Sequence, residues 1–170
     1  MTQLKCVVLL LLPLLVQSDL NHALDCQELY SCLETLHLLT SHRKHELRVD
    51  MEDFEGNTTF AKYSTFSVGP EDDGYRLNVS DFTNGGAGDS LSVHNGMKFS
   101  TFHRDQDTWA HNCARSDVGA HWYHACHSCN PNRVYLWGPG SKFGIGVTWS
   151  TFRGKSYSLN SITVKIRPVP

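Results

Sequence analysis

Leu29, Cys32, Leu33 and Leu36 fall three and four residues apart, and this spacing predicts a short helix over residues 25–39 with those side chains on its buried face. Asp25 followed by Glu28 resembles a capping box and would set the helix start. Further along, the period shortens to two. Leu47, Val49 and Met51 alternate with polar residues, as do Tyr75, Leu77 and Val79, so both segments read as half-buried strands. Asn78 then faces away from the buried side of its strand. The clearest alternation is the last, with Ile162, Val164 and Ile166 on one face, Thr163, Lys165 and Arg167 on the other, and Pro168 as its stop. Residues 83–148 show neither period. They are rich in Gly, Asn, Ser and His with isolated aromatics, and so long an irregular stretch in a compact domain is usually functional. Its order must come from a metal, a disulfide and aromatic packing, with Trp122, Tyr123, Tyr135, Trp137 and Trp149 read as packing residues.

The N-terminus follows different rules. Lys5 precedes an almost wholly apolar run over residues 6–16, and Val16-Gln17-Ser18 supplies a small-residue cleavage pattern, so residues 1–18 read as a removable secretory signal. The run is too short to span a bilayer, and no later stretch is long or apolar enough. Losing residues 1–18 removes one lysine and no acid, which moves the formal charge of the 170-residue chain from −2 to −3 over 152 residues. That length suits one domain with a modest core. A weakly acidic chain without a basic tract gives no case for nucleic acid as a partner. The sequons at Asn57 and Asn78 suit a surface-glycosylated secreted protein. Five cysteines survive cleavage: Cys26, Cys32, Cys113, Cys126 and Cys129. In an oxidising compartment the odd count leaves at least one thiol unpaired or bonded to another chain.

Candidate chemistry concentrates in residues 105–127. Asp105 and Asp107, at i and i+2 in a non-helical segment, can converge on one hard cation, with backbone carbonyls completing the oxygen shell that calcium accepts. An EF-hand is excluded, because a loop starting at Asp105 has Ala110 where Gly is required and Ser116 where the bidentate Glu is required. The bland alternative is that the two acids merely solvate a loop. Cys126-His127-Ser128-Cys129 is a CxxC, and zinc held with Cys113 and one of His111, His121, His124 or His127 is chemically conceivable. No second CxxC or spaced histidine pair supports it, and export favours disulfides. Asn130 after Cys129 excludes haem attachment, and the irregular surroundings argue against thioredoxin-like redox chemistry. No nucleophile elbow, phosphate loop or HExxH is present, so the chain is not read as an enzyme.

An ordered series of motifs carries a family resemblance. Leu38-Leu39-Thr40, Leu47-Arg48-Val49-Asp50-Met51-Glu52-Asp53-Phe54, Gly85-Gly86-Ala87-Gly88-Asp89-Ser90-Leu91 and Lys98-Phe99-Ser100-Thr101-Phe102 come first. Asp105-Gln106-Asp107, Asn112-Cys113-Ala114, Trp122-Tyr123, Cys126-His127, Asn130-Pro131-Asn132, Tyr157-Ser158-Leu159 and Lys165-Ile166-Arg167-Pro168 follow. The chain resembles the fibrinogen-related domain, the recognition module of fibrinogen chains, ficolins and microfibril-associated glycoproteins. Thr59-Phe60-Ala61-Lys62-Tyr63 and the short leader are most similar to the last of these. The resemblance runs from about Leu33 onward, with Asp25-Cys26 resembling the module's opening. Between these pieces a block of the N-terminal subdomain is missing, which reads as an exon-skipped or incomplete coding sequence or a diverged paralogue. Residues 1–18 are then the signal, 19–32 a leader carrying the remnant opening, and 33–170 a partial module.

The resemblance implies an α+β fold, a truncated fibrinogen C-terminal-like module with a twisted antiparallel sheet and a long irregular calcium- and ligand-binding subdomain. Strands flanking residues 47–53 would lose neighbours and leave a sheet edge prone to association. Calcium would be held by the side chains of Asp105 and Asp107 and the carbonyls of Trp109 and His111, and His103, where an acid is often found, would weaken the site. Cys113 and Cys126 would form the family disulfide, and Cys26 would lack its usual partner, with Cys32 a local possibility. Cys129 is additional to the pattern and is the candidate for an intermolecular bond. The peptide joining Ala125 to Cys126 is expected to be cis, which would aim the amides of Cys126 and His127 at one point. The ligand pocket maps to Asp117, Cys126, His127, Phe143 and Gly144, with Phe143 as an aromatic wall. Asp117 stands where acetyl-binding members often carry an aromatic, and an acid there favours an amine or cationic group. The packed-core alternative for His127 is a ring bonded to a backbone carbonyl.

The implied function is that of a secreted calcium-binding recognition glycoprotein of the extracellular matrix. It would bind matrix proteins such as collagen and elastic-fibre components, or acetylated and microbial carbohydrates, as a homo-oligomer whose avidity offsets a shallow pocket. An innate-immune lectin of ficolin type and a non-functional truncated isoform are the alternatives. The absence of a Gly-X-Y stretch argues against a true ficolin, and that of a coiled coil against a fibrinogen chain.

Overall fold

The computed structural model describes residues 26–133 and 146–169, with side chains from residue 29 onward. The helices are α1 (Cys26–His42), α2 (Cys113–Ser116) and α3 (Ser150–Arg153). The strands are β1 (His45–Glu52), β2 (Thr58–Val68), β3 (Leu77–Gly85), β4 (Cys129–Asn130), β5 (Thr148–Trp149) and β6 (Ser161–Pro168). The expected helix forms and continues past Leu39 to His42. Cys32 and Leu33 are buried along it, and Leu29 and Leu36 pack against the core. The extra turn is tied down by Thr40, whose hydroxyl donates to the Leu36 carbonyl at 2.8 Å and accepts the Val68 N–H at 3.1 Å. The Asp25/Glu28 cap lies outside the described side chains.

β1, β2, β3 and β6 make one antiparallel sheet in the order β3-β2-β1-β6. Register puts Leu47 opposite Ile166, Val49 opposite Val164 and Met51 opposite Ile162, so the two alternating segments read from the sequence share one apolar face. β2 follows that face with Ala61, Tyr63, Phe66 and Val68, and the shift in its pairing with β1 between His45 and Leu47 is a bulge that brings both Tyr63 and Phe66 inward. The opposite face is charged. There Lys62 and Arg167 pair with Glu46, Arg48 and Lys165 with Asp50, and the Arg48 guanidinium lies 3.8 Å from the Phe60 ring centre.

Tyr75 departs from its expected place in a strand. Its backbone turns to φ 53°, its N–H bonds to the Pro70 carbonyl at 3.0 Å, and the strand begins only at Leu77. The side chain is nonetheless buried, and its hydroxyl donates to Glu34 of α1 at 3.2 Å. Asn78 is exposed, as is Asn57, so both sequons lie on the surface. Among the described residues β6 pairs with β1 alone, which leaves its outer edge open.

The apolar face of the sheet is covered by the irregular half of the chain. Leu91, Phe99, Cys129, Val147, Trp149, Tyr157 and Leu159 join the sheet residues in one core. Trp122 packs edge-on against Phe99 at 5.0 Å and donates its indole N–H to the Tyr75 carbonyl at 2.7 Å. Asp53, just beyond β1, anchors the two halves. Its buried carboxylate accepts the Glu55 and Asn57 amides at 3.0 and 2.8 Å, the Asn57 side chain at 2.9 Å and Arg153 Nε of α3 at 2.8 Å.

Burial alone would raise the Asp53 carboxyl, but Arg153 and Asn57 outweigh it and hold the group at about 2, below its ordinary 3.8. A depressed carboxyl contributes stability that is present above its unfolded value and lost as pH falls through the folded one. The wild-type chain should therefore lose this contribution between roughly pH 4 and 2. Asp53→Asn should be less stable at neutral pH and show a shallower acid slope in pH-dependent thermal melts. Parallel acid slopes would contradict the assignment.

Candidate functional site

Asp107 organises the loop between β3 and α2. Its Oδ1 accepts the Trp109 amide at 2.8 Å, its Oδ2 accepts the Cys113 amide at 2.9 Å, and Asp105 Oδ1 accepts the Asp107 amide at 3.2 Å. Short polar side chains bonding to backbone two residues on are the usual way to fold an irregular loop. Burial raises the Asp107 carboxyl above its usual range, the Cys113 and Trp109 amides offset part of this, and the adjacent Asp105 charge raises it again. Two carboxylates held so close that one resists ionisation are an arrangement a hard divalent cation relieves. The donors available there are oxygens, so the residues present fit calcium. Trp109 and His111 lie on the exposed turn that follows, their rings edge-on at 5.1 Å, and His103 is exposed before it.

The loop leads directly into the disulfide. Cys113 starts α2 and is bonded to Cys126, thirteen residues on, with Cα atoms 5.1 Å apart. Asn112 caps the helix, its side-chain oxygen accepting the Arg115 N–H at 3.0 Å. Cys113, Ala114 and Tyr123 form a small core of their own beside Cys126. No cis peptide occurs among the described residues, which corrects the expectation at Ala125-Cys126. The chain reverses there by another route: Cys126 adopts φ 66° and its carbonyl accepts the His124 N–H at 3.1 Å.

Beyond the bridge, Asp117 and His127 meet, with Asp117 Oδ2 3.6 Å from His127 Nε2. Arg133 completes the group, its Nη1 3.8 Å from Asp117 Oδ1, and its side chain is 1% exposed. Burial raises the Asp117 carboxyl despite the opposing Arg133 charge, and burial lowers Arg133 from its usual value. Asp117 is therefore not an isolated acid awaiting a cation, since a guanidinium and an imidazole already face it. His127 faces this carboxylate. Phe143 and Gly144 lie outside the described residues.

Residues 19–169 match the family described as the C-terminal globular domain of fibrinogen beta and gamma chains. The chain belongs to this fibrinogen C-terminal domain family. It is 51% identical over 140 residues to microfibril-associated glycoprotein 4 of Bos taurus and of Homo sapiens, covering 79% of this chain and 55% of each relative. To human fibrinogen C domain-containing protein 1 it is 47% identical over 142 residues, covering 81% of this chain and 31% of that one. The chain thus spans about half or less of the length of these relatives. Among solved structures, the fibrinogen-like globe domain of human ANGPTL6 superposes with TM-score 0.78 at 45% identity, covering 81% of this chain and 63% of that one. Lamprey fibrin D-dimer, complexed with the peptide ligand Gly-His-Arg-Pro-amide, gives TM-score 0.76 at 32% identity, covering 80% and 49%.

Within this fibrinogen-related module the structure brings Asp105, Asp107, Cys113, Cys126, Asp117 and His127 into one continuous segment around α2. Reading the residues alone missed Arg133. It stands three positions after Asn130, in no motif, and only its burial against Asp117 reveals it. The CxxC is divided: Cys126 is in the disulfide, whereas Cys129 is fully buried in β4, where its thiol cannot reach another chain. The intermolecular role expected of Cys129 is therefore corrected. Pairing between Cys26 and Cys32 lies outside the described side chains.

Proposed function

We propose that the chain is a secreted recognition glycoprotein of the extracellular matrix that uses calcium to order its ligand loop and does no catalysis. The observation that carries this is the hydrogen bond from the Cys113 amide to Asp107 Oδ2, which makes one carboxylate part of both the cation loop and the disulfide segment that leads to Asp117 and His127. A cation held by Asp105, Asp107 and the carbonyls of Trp109 and His111 would lower the ordering cost of that segment before ligand arrives. The family relatives include a microfibril-associated glycoprotein, which supports matrix proteins as partners, with homo-oligomers supplying avidity.

Asp117 is the partly exposed member of the Asp117–Arg133–His127 group, its side chain 18% exposed against 1% for Arg133 and 4% for His127, so it is the charge a peptide ligand would meet, and the lamprey relative's peptide ligand supports the same class. Acetylated glycans are the second reading, favoured by the retained Cys126-His127 pair. Surface-immobilised acetylated sugar and a basic matrix peptide, each with calcium and with chelator, separate the two. Asp117→Tyr should increase binding to the acetylated surface and reduce binding to the peptide. An unchanged preference in a variant that still melts cooperatively would count against the pocket.

A further inference from the structure

His94, His121 and Cys129 bring three metal-ligating side chains together in the interior. One ligand atom from each lies within 4.8 Å of the others, and all three residues are buried. They arrive from separate segments. His94 closes the single turn Ser92–His94, His121 is held to Ser100 by backbone bonds of 2.9 and 3.2 Å, and Cys129 lies in β4 opposite Trp149. The cluster is a product of the tertiary fold and leaves no spacing motif in the sequence.

Its geometry is close to that of a coordination site. Cys129 Sγ is 3.6 Å from His121 Nε2. The contact is within thiol–imidazole hydrogen-bond distance, and a tetrahedral zinc ion with sulfur at about 2.3 Å and nitrogen at about 2.0 Å would set the two ligands about 3.5 Å apart, so an ion could replace the thiol proton with little movement of the pair. The His94 ring lies edge-on to His121 with centroids 4.8 Å apart. His94 Nε2 accepts the Ser128 N–H at 3.1 Å, a bond that coordination through this nitrogen would replace, and His94 Nδ1 has no hydrogen-bond partner among the described residues. His121 turns Nε2 towards Cys129, while its Nδ1, on the other side of the ring, is buried without a hydrogen-bond partner among the described residues.

We propose that His94, His121 and Cys129 form a buried three-ligand site for a zinc-class divalent ion, which pins the Ser92–His94 turn and β4 to the segment at His121. Burial and the neighbouring His127 hold His94 at about 4, and burial holds His121 well below its ordinary value, so both rings are neutral donors. Burial also raises the Cys129 thiol. A divalent ion exchanges the thiol proton for a metal–sulfur bond, the proton leaves to solvent, and the ion supplies the positive charge that a buried thiolate needs. Two imidazoles and a thiolate select borderline-soft ions over calcium.

Native mass spectrometry of the secreted chain should find one zinc ion per chain. After chelation, cobalt(II) under non-reducing conditions should restore one ion with thiolate-to-cobalt charge-transfer absorption. Loss of an outer-shell partner costs about 10–100-fold in metal affinity, so Cys129→Ala and His121→Phe should each weaken cobalt binding at least about 100-fold. A cooperative melt checks that each variant is folded. A folded wild-type chain with no zinc and no charge-transfer band would overturn the proposal, and so would a band that persists in Cys129→Ala.

Discussion

Removing the Cys113–Cys126 bridge, by Cys113→Ala with Cys126→Ala, should lower the unfolding free energy by about 3 kcal/mol, as expected for a closed loop of this length. Most of that effect is on the unfolded chain, which regains the loop entropy the bridge removes. In the folded chain the change falls on Cys113, Ala114 and Tyr123, a satellite cluster outside the main core. Loop order should suffer with stability, because the Cys113 amide that fixes Asp107 sits on the bridge itself. Differential scanning calorimetry should show Tm lower by about 6–12 °C, at 2–4 °C per kcal/mol for a domain of this size. A shift below about 2 °C would show that the bridge is dispensable.

Trp149→Ala should cost about 4 kcal/mol, in the range for an aromatic removed from a closed core. Trp149 is 1% exposed, pairs with Cys129 across the β4–β5 ladder, and donates its indole N–H to the Gly88 carbonyl at 3.2 Å. It therefore joins the glycine-rich segment after β3 to the short second sheet. Trp149→Phe keeps most of the apolar volume and loses the hydrogen bond, for about 1 kcal/mol. Chemical denaturation of the two variants separates the terms. Equal losses would mean that the hydrogen bond, and not the packing, fixes this residue.

The sheet was legible because its strands obey the two-residue period: Leu47, Val49 and Met51 and Ile162, Val164 and Ile166 pair in register on one face. α1 was legible for the equivalent reason at helical period. Tyr75 misled because burial continues through a turn whose backbone has left the strand, and side-chain pattern reports burial, not φ. Asp105 and Asp107 stood out as an acidic pair in a segment without period, but the loop hydrogen bonds from the Trp109 and Cys113 amides to Asp107 are a product of the fold, and the family resemblance supplied Cys113 and Cys126. Arg133 and His94 could not be read, and His121 stood only as one of four histidines that zinc at the CxxC could have used. Each is defined by what it meets across the fold, and no local pattern encodes a contact between segments that only the fold brings together. Cys129 was visible as an extra cysteine, but its burial, which decides whether the thiol can reach another chain, is a tertiary fact.

The most direct measurement is calcium-dependent thermal unfolding of the chain produced through a secretory host and of Asp107→Ala, each with calcium and with excess chelator. Calcium at 100 times its Kd should stabilise the wild type by about 2.7 kcal/mol, a rise in Tm of about 5–11 °C. Asp107→Ala should melt cooperatively with no calcium-dependent rise. A wild-type transition indifferent to calcium, or an Asp107→Ala variant that retains the full rise, would contradict a cation loop at Asp105 and Asp107.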